Sequence, residues 1–293
     1  MKFDLSSFLK VNRAAALPAA LFSVLFTIAA PAFSAGAPDA ADEREVFQIT
    51  PEFSRTEKEI ASQNPKYFTI NPESVRLTLI ETREEPNMNY VKLQEAPPKD
   101  LAGTVVMLGQ IVNIASKVWQ IVKDNIPVVN IESKYATAYP QGVTAASQLA
   151  QWSRPKTYVY GFYAENMYGS VMIDCKYKVT YSYNGAYKGK GKYLTAVAVI
   201  PEMAQVGWGY KFYMSASVPD STIANVGTDA DPIAAMQLKL NWRMATVLKV
   251  VDGTSVYYVE GNGFFEEIAN PWKQTLKVEN VKAAAPLLAE TVF

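Results

Sequence analysis

The chain has 293 residues, 49% of them hydrophobic and 19% charged, with 28 basic and 28 acidic side chains. That is enough apolar material for a sizeable core, and the balanced charge does not mark a general nucleic-acid binder. There is no histidine and a single cysteine, Cys175, which excludes Ser-His-Asp and Cys-His nucleophiles, His-ligated metals and any intramolecular disulfide.

Lys2, Lys10 and Arg13 precede an apolar run from Ala14 to Ala30, which ends in the small-residue stretch Ala32-Phe33-Ser34-Ala35. A basic region, an apolar region and an A-x-S site predict a secretory signal peptide over 1–34, cleaved after Ser34. Pro18, Pro31 and the polar segment that follows argue against a retained anchor. Without residues 1–34 the chain carries 25 basic and 27 acidic side chains, a net charge of −2. The expected location is secreted, periplasmic or on the outer cell surface. A bacterial envelope is favoured because exported animal domains more often carry disulfides.

Residues 35–98 read as a polar arm with a short helix over Arg55–Ser62. Short strands follow over Ser74–Glu81, where Val75, Leu77 and Leu79 share a face, and over Asn89–Leu93. Glu95-Ala-Pro-Pro-Lys99 makes a stiff break. The segment 99–126 reads as one long amphipathic helix, from an N-cap at Asp100 to about Asp124. Leu101, Val105, Leu108, Val112, Ala115, Trp119 and Val122 recur at spacings of four and three, the seam of a single helical face.

Across 127–275 the period changes to two. Val171, Ile173, Cys175, Tyr177, Val179, Tyr181 and Tyr183 form one strand face, and Asn184-Gly185 offers a hairpin turn. Tyr193–Ile200 is apolar on both faces and reads as a central strand covered on each side. Val206–Val218 and Met236–Val250 give two further alternating faces; Asp252-Gly253 and a strand over Ser255–Glu260 follow. Residues 276–293 read as a flexible tail. The predicted fold is mainly β with one long α-helix: an antiparallel β-sandwich, jelly-roll-like or a partly closed barrel, with the helix packed on it.

The candidate contact surface follows Tyr181. Lys176, Lys178, Lys188, Lys190 and Lys192 occur with no acidic residue between Lys176 and Lys192, interleaved with tyrosines. Tyr183, Tyr187, Lys188, Lys190 and Lys192 are the residues expected to meet a protein, a glycan or an anionic envelope surface. The plainer alternative is a mobile glycine hairpin kept soluble by its lysines. Cys175 alternates onto the apolar face and reads as a small buried hydrophobe.

The helix supports a second reading. The stretch Leu101-Ala-Gly-Thr-Val-Val106 resembles the N-terminal helix of actinoporin-type pore formers, a likeness of six residues that is not followed by that family's aromatic phosphocholine-binding pattern. That likeness carries over no residues; the wide apolar arc of the expected helix itself would make a peripheral membrane contact through Leu101, Val105, Leu108, Val112 and Trp119, the alternative of a membrane-active protein. A third reading is a His-independent glycan hydrolase, with Glu260, Glu266 and Glu267 near Tyr257, Tyr258, Trp242 and Trp272 lining a cleft. Asp229 and Asp231, with Asp220 and Asn225, read as an Asp-rich turn and lack the spacing of a calcium loop. The expectation is therefore a non-enzymatic exported binding or structural protein, with no catalytic residue, metal or cofactor, no nucleic-acid partner, and possible self-association.

Overall fold

The computed structural model of the protein describes residues 50–96, 104–128 and 134–272. The segment 1–34 expected to be a signal peptide, the expected tail over 276–293, Asp100 and Leu101 lie outside these residues. The described chain is mostly β. Its helix α1 spans Arg55–Gln63. A capping box fixes the start of α1: the Glu57 N–H donates to Ser54 Oγ at 3.2 Å, and the Ser54 N–H donates to Glu57 Oε2 at 2.6 Å.

The strands are β1 (Arg76–Glu84), β2 (Met107–Val112), β3 (Val118–Lys123), β4 (Ile126–Pro127), β5 (Ala136–Gln141), β6 (Lys156–Glu165) and β7 (Val171–Tyr187). They continue with β8 (Lys190–Val206), β9 (Tyr210–Ser217), β10 (Ala224–Asn225), β11 (Ala234–Thr246), β12 (Val250–Glu260) and β13 (Phe265–Ala269). One sheet has the order β1-β6-β7-β8-β5-β2, and the other β13-β12-β11-β9-β3-β4 with β10 on β11. All these pairings are antiparallel.

No long helix forms over 104–126, the described part of the segment 99–126 expected to be one. That part forms β2 in one sheet and β3 in the other, and Asn113–Lys117 crosses between them. Two properties of the segment explain this. Val105, Val106, Ile111, Val112, Ile114, Val118, Ile121 and Val122 are β-branched, and Gly109 disfavours helix. The wide apolar arc on a helical wheel is also what strands touching apolar neighbours on both faces require. Asn113 fixes the crossing, since its Oδ1 accepts from the N–H groups of Ala115 at 3.1 Å and Thr137 at 2.9 Å. At the far end, Asp124 and Asn125 both have positive φ (47° and 72°) and make the tight turn into β4.

The two sheets share one core. Ile173, Cys175, Tyr177, Val179 and Tyr181 of β7 face Met236, Leu238, Leu240, Trp242 and Met244 of β11 across it, all fully buried. Phe162 stacks on Trp242 with ring centroids 4.7 Å apart and on Phe212 at 5.3 Å. Tyr193–Ile200 is buried throughout, as its two-sided apolarity predicts. Part of its outer face is covered by a second cluster in which Val91 joins Tyr135, Ala196, Ala198 and Ile200. Asn89–Leu93, expected as a strand, is irregular chain in this cover. Val75 and Leu77 are buried as expected. A bulge between Leu79 and Glu81 breaks the alternation and leaves Leu79 exposed.

Strand direction sorts the turns into two ends. The first end carries the β3–β4, β6–β7, β8–β9 and β11–β12 turns. The second carries the β7–β8 and β12–β13 turns and the 226–233 loop. At about 3.3 Å per residue, β7 separates the ends by at most about 55 Å.

Candidate functional site

The β7–β8 hairpin does not turn at Asn184-Gly185. The turn is Lys188-Gly189, where both residues have positive φ (50° and 77°) and Tyr187 pairs with Lys190. Asn184 also has positive φ (62°), but it sits in a run of register shifts between Thr180 and Tyr187. These bulges bend the hairpin out of its own sheet and over the end of the other.

Ala150 pairs with Ala186 and Ser153 with Tyr183 along the β7 arm of the bent hairpin, and three further contacts tie it to the end of the other sheet. The Asn184 N–H donates to Gly261 O at 2.8 Å, the Lys192 N–H to Pro232 O at 2.8 Å, and the Gly191 N–H to Asp231 Oδ1 at 3.0 Å. Gly261 is required there: a Cβ on it would lie 2.0 Å from Lys192 O. Lys192 also bridges Ile233 in parallel fashion. An open cleft of about 480 Å³ is left beside the tip, lined by Gln151, Asn184, Gly189, Gly191, Lys192 and Asp231.

The five expected contact residues divide. Lys188 and Lys190 are exposed at the tip. Lys192 and Tyr187 are half-buried; Tyr187 packs against the core and carries the Lys188 ammonium 5.3 Å from its ring centroid. Tyr183 is structural: it is half-buried, with the Lys156 ammonium 4.9 Å from its ring centroid, and a Cβ on Gly263 would strike its ring. Lys156 Nζ donates to Gly263 O at 2.8 Å. Lys178 is held on the outer sheet face between Glu85, at 3.5 Å, and the Tyr90 ring. Lys176 lies some 30 Å or more from the tip, counting about 3.3 Å per residue along the strand. The run of lysines in the sequence is thus two separate features.

Asp231, Pro232 and Lys156 were not legible as parts of this site. Asp231 stood out only as an acidic turn residue, and no spacing rule links it to the Gly191 N–H. Its neighbours serve the same loop: Asn225 Oδ1 accepts from the N–H groups of Gly227 and Ile233, both at 3.0 Å, while Asp220 pairs with Lys117. Among the described residues, no three His, Cys, Asp or Glu side chains are grouped to hold a metal. Tyr193, below the tip, is buried and donates to Leu108 O at 2.9 Å; burial, with a smaller contribution from Asp231, pushes its phenol up to about 12.

The other candidates are dispersed. Val105 is exposed, Leu108 and Val112 are half-buried in or beside β2, and Trp119 is a core residue of β3, so these four do not form one face. No helix among the described residues is long and apolar enough to cross a membrane. Trp242 and Tyr257 are fully buried between the sheets, whereas Glu260 is engaged by Tyr258, at 2.9 Å, and Asn262, at 2.6 Å. Glu266 and Glu267 are consecutive in β13 and point to opposite faces. The chain matches no protein-family model, no curated protein and no solved structure.

Proposed function

We propose that the protein is an exported, non-enzymatic β-sandwich binding module of the cell envelope or extracellular space, which contacts an anionic polymer through the β7–β8 hairpin. The observation that carries this reading is the pinned basic tip. Lys188 and Lys190 are exposed on a turn whose flanks are tied to Asp231, Pro232 and Gly261. A tip held this way loses little conformational freedom on binding, unlike a mobile glycine loop. The closely associated Glu260 and the core placement of Trp242 and Tyr257 favour binding over glycan hydrolysis.

The test is binding of the exported protein to alginate, with neutral dextran as control. Alginate is expected to bind in a salt-sensitive manner, to be released unchanged, and to bind about tenfold more weakly to the Lys188→Glu/Lys190→Glu variant. Equal binding of dextran, or an unaffected double variant, rules the reading out. Release of shortened alginate chains would replace it with an enzymatic one.

A further inference from the structure

Half of the large apolar side chains that are exposed among the described residues lie at the first end, opposite the lysine hairpin. Ile126 (67% exposed) opens β4 just after the β3–β4 turn, Met167 and Tyr168 (61%) are on the β6–β7 connection with Val171 opening β7 beside them, Trp208 (51%) is on β8–β9, and Leu248 on β11–β12 with Val250 beside it. Isolated exposed apolar residues are ordinary, but this many on four adjoining turns is not.

The turns are held together beneath their tips. The Met167 N–H donates to Thr69 O at 3.0 Å, and Tyr67 Oη donates to Trp208 O at 3.3 Å. Phe68, fully buried, packs edge-on under Trp208 with centroids 5.8 Å apart. Asn125 Nδ2 donates to Tyr210 O at 3.0 Å, and Tyr210 pairs with Thr246, the last residue before the β11–β12 turn. That turn is itself fixed, because Thr246 Oγ1 accepts from the Leu248 and Lys249 N–H groups. The apolar tips are thus presented by a rigid base.

The character of the side chains distinguishes the occupant. Lys66, Lys123 and Lys249 are exposed in or beside these turns, and none has a carboxylate partner among the described residues. The acids at this end are Asp124, exposed and accepting from Tyr213 Oη at 2.5 Å, Glu52, exposed and near the same Tyr213, Glu165, which accepts from Tyr163 Oη at 2.8 Å, and half-buried Asp174; Asp252 is paired with Arg243 at 2.7 Å. Separate apolar tips on several turns, with Trp and Tyr among them and lysines around, match the headgroup layer of a membrane: aromatic rings settle at that depth and lysines meet anionic lipid. A protein partner would instead call for one contiguous, closely packed apolar centre.

We propose that the first end docks peripherally on an anionic lipid bilayer, with Tyr168, Trp208, Leu248 and their neighbours inserted into the interface. This is independent of the hairpin reading, because the two surfaces lie at opposite ends of β7. Were both to hold, the domain would stand on the membrane with its lysine tip directed away from it.

The experiment is co-sedimentation of the exported protein with vesicles of phosphatidylcholine alone and of phosphatidylcholine with phosphatidylglycerol. Binding is expected to the mixed vesicles, and to be weaker to the neutral ones. It should fall about tenfold or more in Tyr168→Ser/Leu248→Ser, whose substitutions sit on turns and leave the core intact. Trp208 emission should shift to the blue and be quenched by brominated lipid, a signal absent in Trp208→Phe. Lys188→Glu/Lys190→Glu should bind vesicles like the unmodified protein. The proposal is overturned by failure to bind either vesicle, by binding that survives Tyr168→Ser/Leu248→Ser, or by binding lost only in the hairpin variant.

Discussion

Tyr177 on β7 and Tyr257 on β12 meet hydroxyl to hydroxyl at 2.6 Å, in the middle of the core and across the gap between the two sheets. Both side chains are fully buried. Each hydroxyl satisfies the other where water has no access, so two polar atoms in an apolar layer fix the sheets' relative position instead of opposing their packing.

Removing one member of this pair leaves the other stranded. Tyr257→Phe should cost about 1–3 kcal/mol, because the Tyr177 hydroxyl then stays buried without its partner. Tyr177→Phe should cost less, since Ser255 also lies within reach of the Tyr257 hydroxyl. The double variant should be less destabilised than the sum of the singles, because both polar atoms are gone. Urea denaturation of the four proteins checks this, and additive losses would show that the two hydroxyls are not coupled.

The same burial makes the fold sensitive to alkali. Burial raises the phenols of Tyr177, Tyr257, Tyr181 and Tyr139 well above their ordinary value of 10, and that of Tyr90 to about 12. An acid whose pKa is higher in the folded state binds its proton more tightly there. The stability it lends is therefore complete below pH 10 and is lost as pH rises through the folded value. Phenolate absorbance should consequently rise in two phases on titration, the exposed tyrosines first and the buried ones cooperatively with loss of tertiary structure. A single phase centred near pH 10 with the fold intact would contradict the burial.

Cys175 lies fully buried among Ile173, Phe162 and Ala204, and burial, with a lesser effect of Asp174, pushes its thiol up to about 12. Thiolate is the reacting species, so the native protein at pH 8 should be inert to a disulfide reagent. It should react only in denaturant, at one equivalent per chain. Rapid labelling of the native protein would place this strand face outside the core.

The long strands were legible because their signal is local. Alternation in Val171–Tyr183 and Met236–Met244 reports burial on one face, and the two-sided apolarity of Tyr193–Ile200 reports a covered centre. The β2–β3 segment was not, because apolar residues at spacings of four and three suit a helical seam as well as a partly buried strand followed by a buried one. The choice was made by partners distant in sequence, Tyr139 for Val112 and Ala216 for Trp119. The hairpin turn failed for a related reason: Asn184-Gly185 is the stronger local turn signal, yet the contacts to Gly261 and Asp231 place it in a bend. At the first end, Ile126, Trp208 and Leu248 are far apart in sequence, and only pairing through Tyr210 and Thr246 gathers them.

The anchoring of the lysine tip makes the final prediction. In Asp231→Ala the Gly191 N–H loses its acceptor, while the Lys192–Pro232 and Asn184–Gly261 bonds remain. The tip should loosen without the domain unfolding: exchange of the Gly191 amide speeds up by about tenfold or more, whereas global stability falls by only about 1 kcal/mol. Asp231→Asn keeps an oxygen at the same place and should restore protection of that amide, which separates the hydrogen bond from the lost charge. Gly261→Ala acts more severely, because its Cβ meets the Lys192 carbonyl and must push the whole hairpin off the second sheet. It should release the amides of Asn184, Gly191 and Lys192 together. Equal exchange at Gly191 in Asp231→Ala and the unmodified protein would mean that the carboxylate does not hold the tip, and the rigid presentation of Lys188 and Lys190 would then rest on the backbone contacts to Pro232, Gly261 and Ala150.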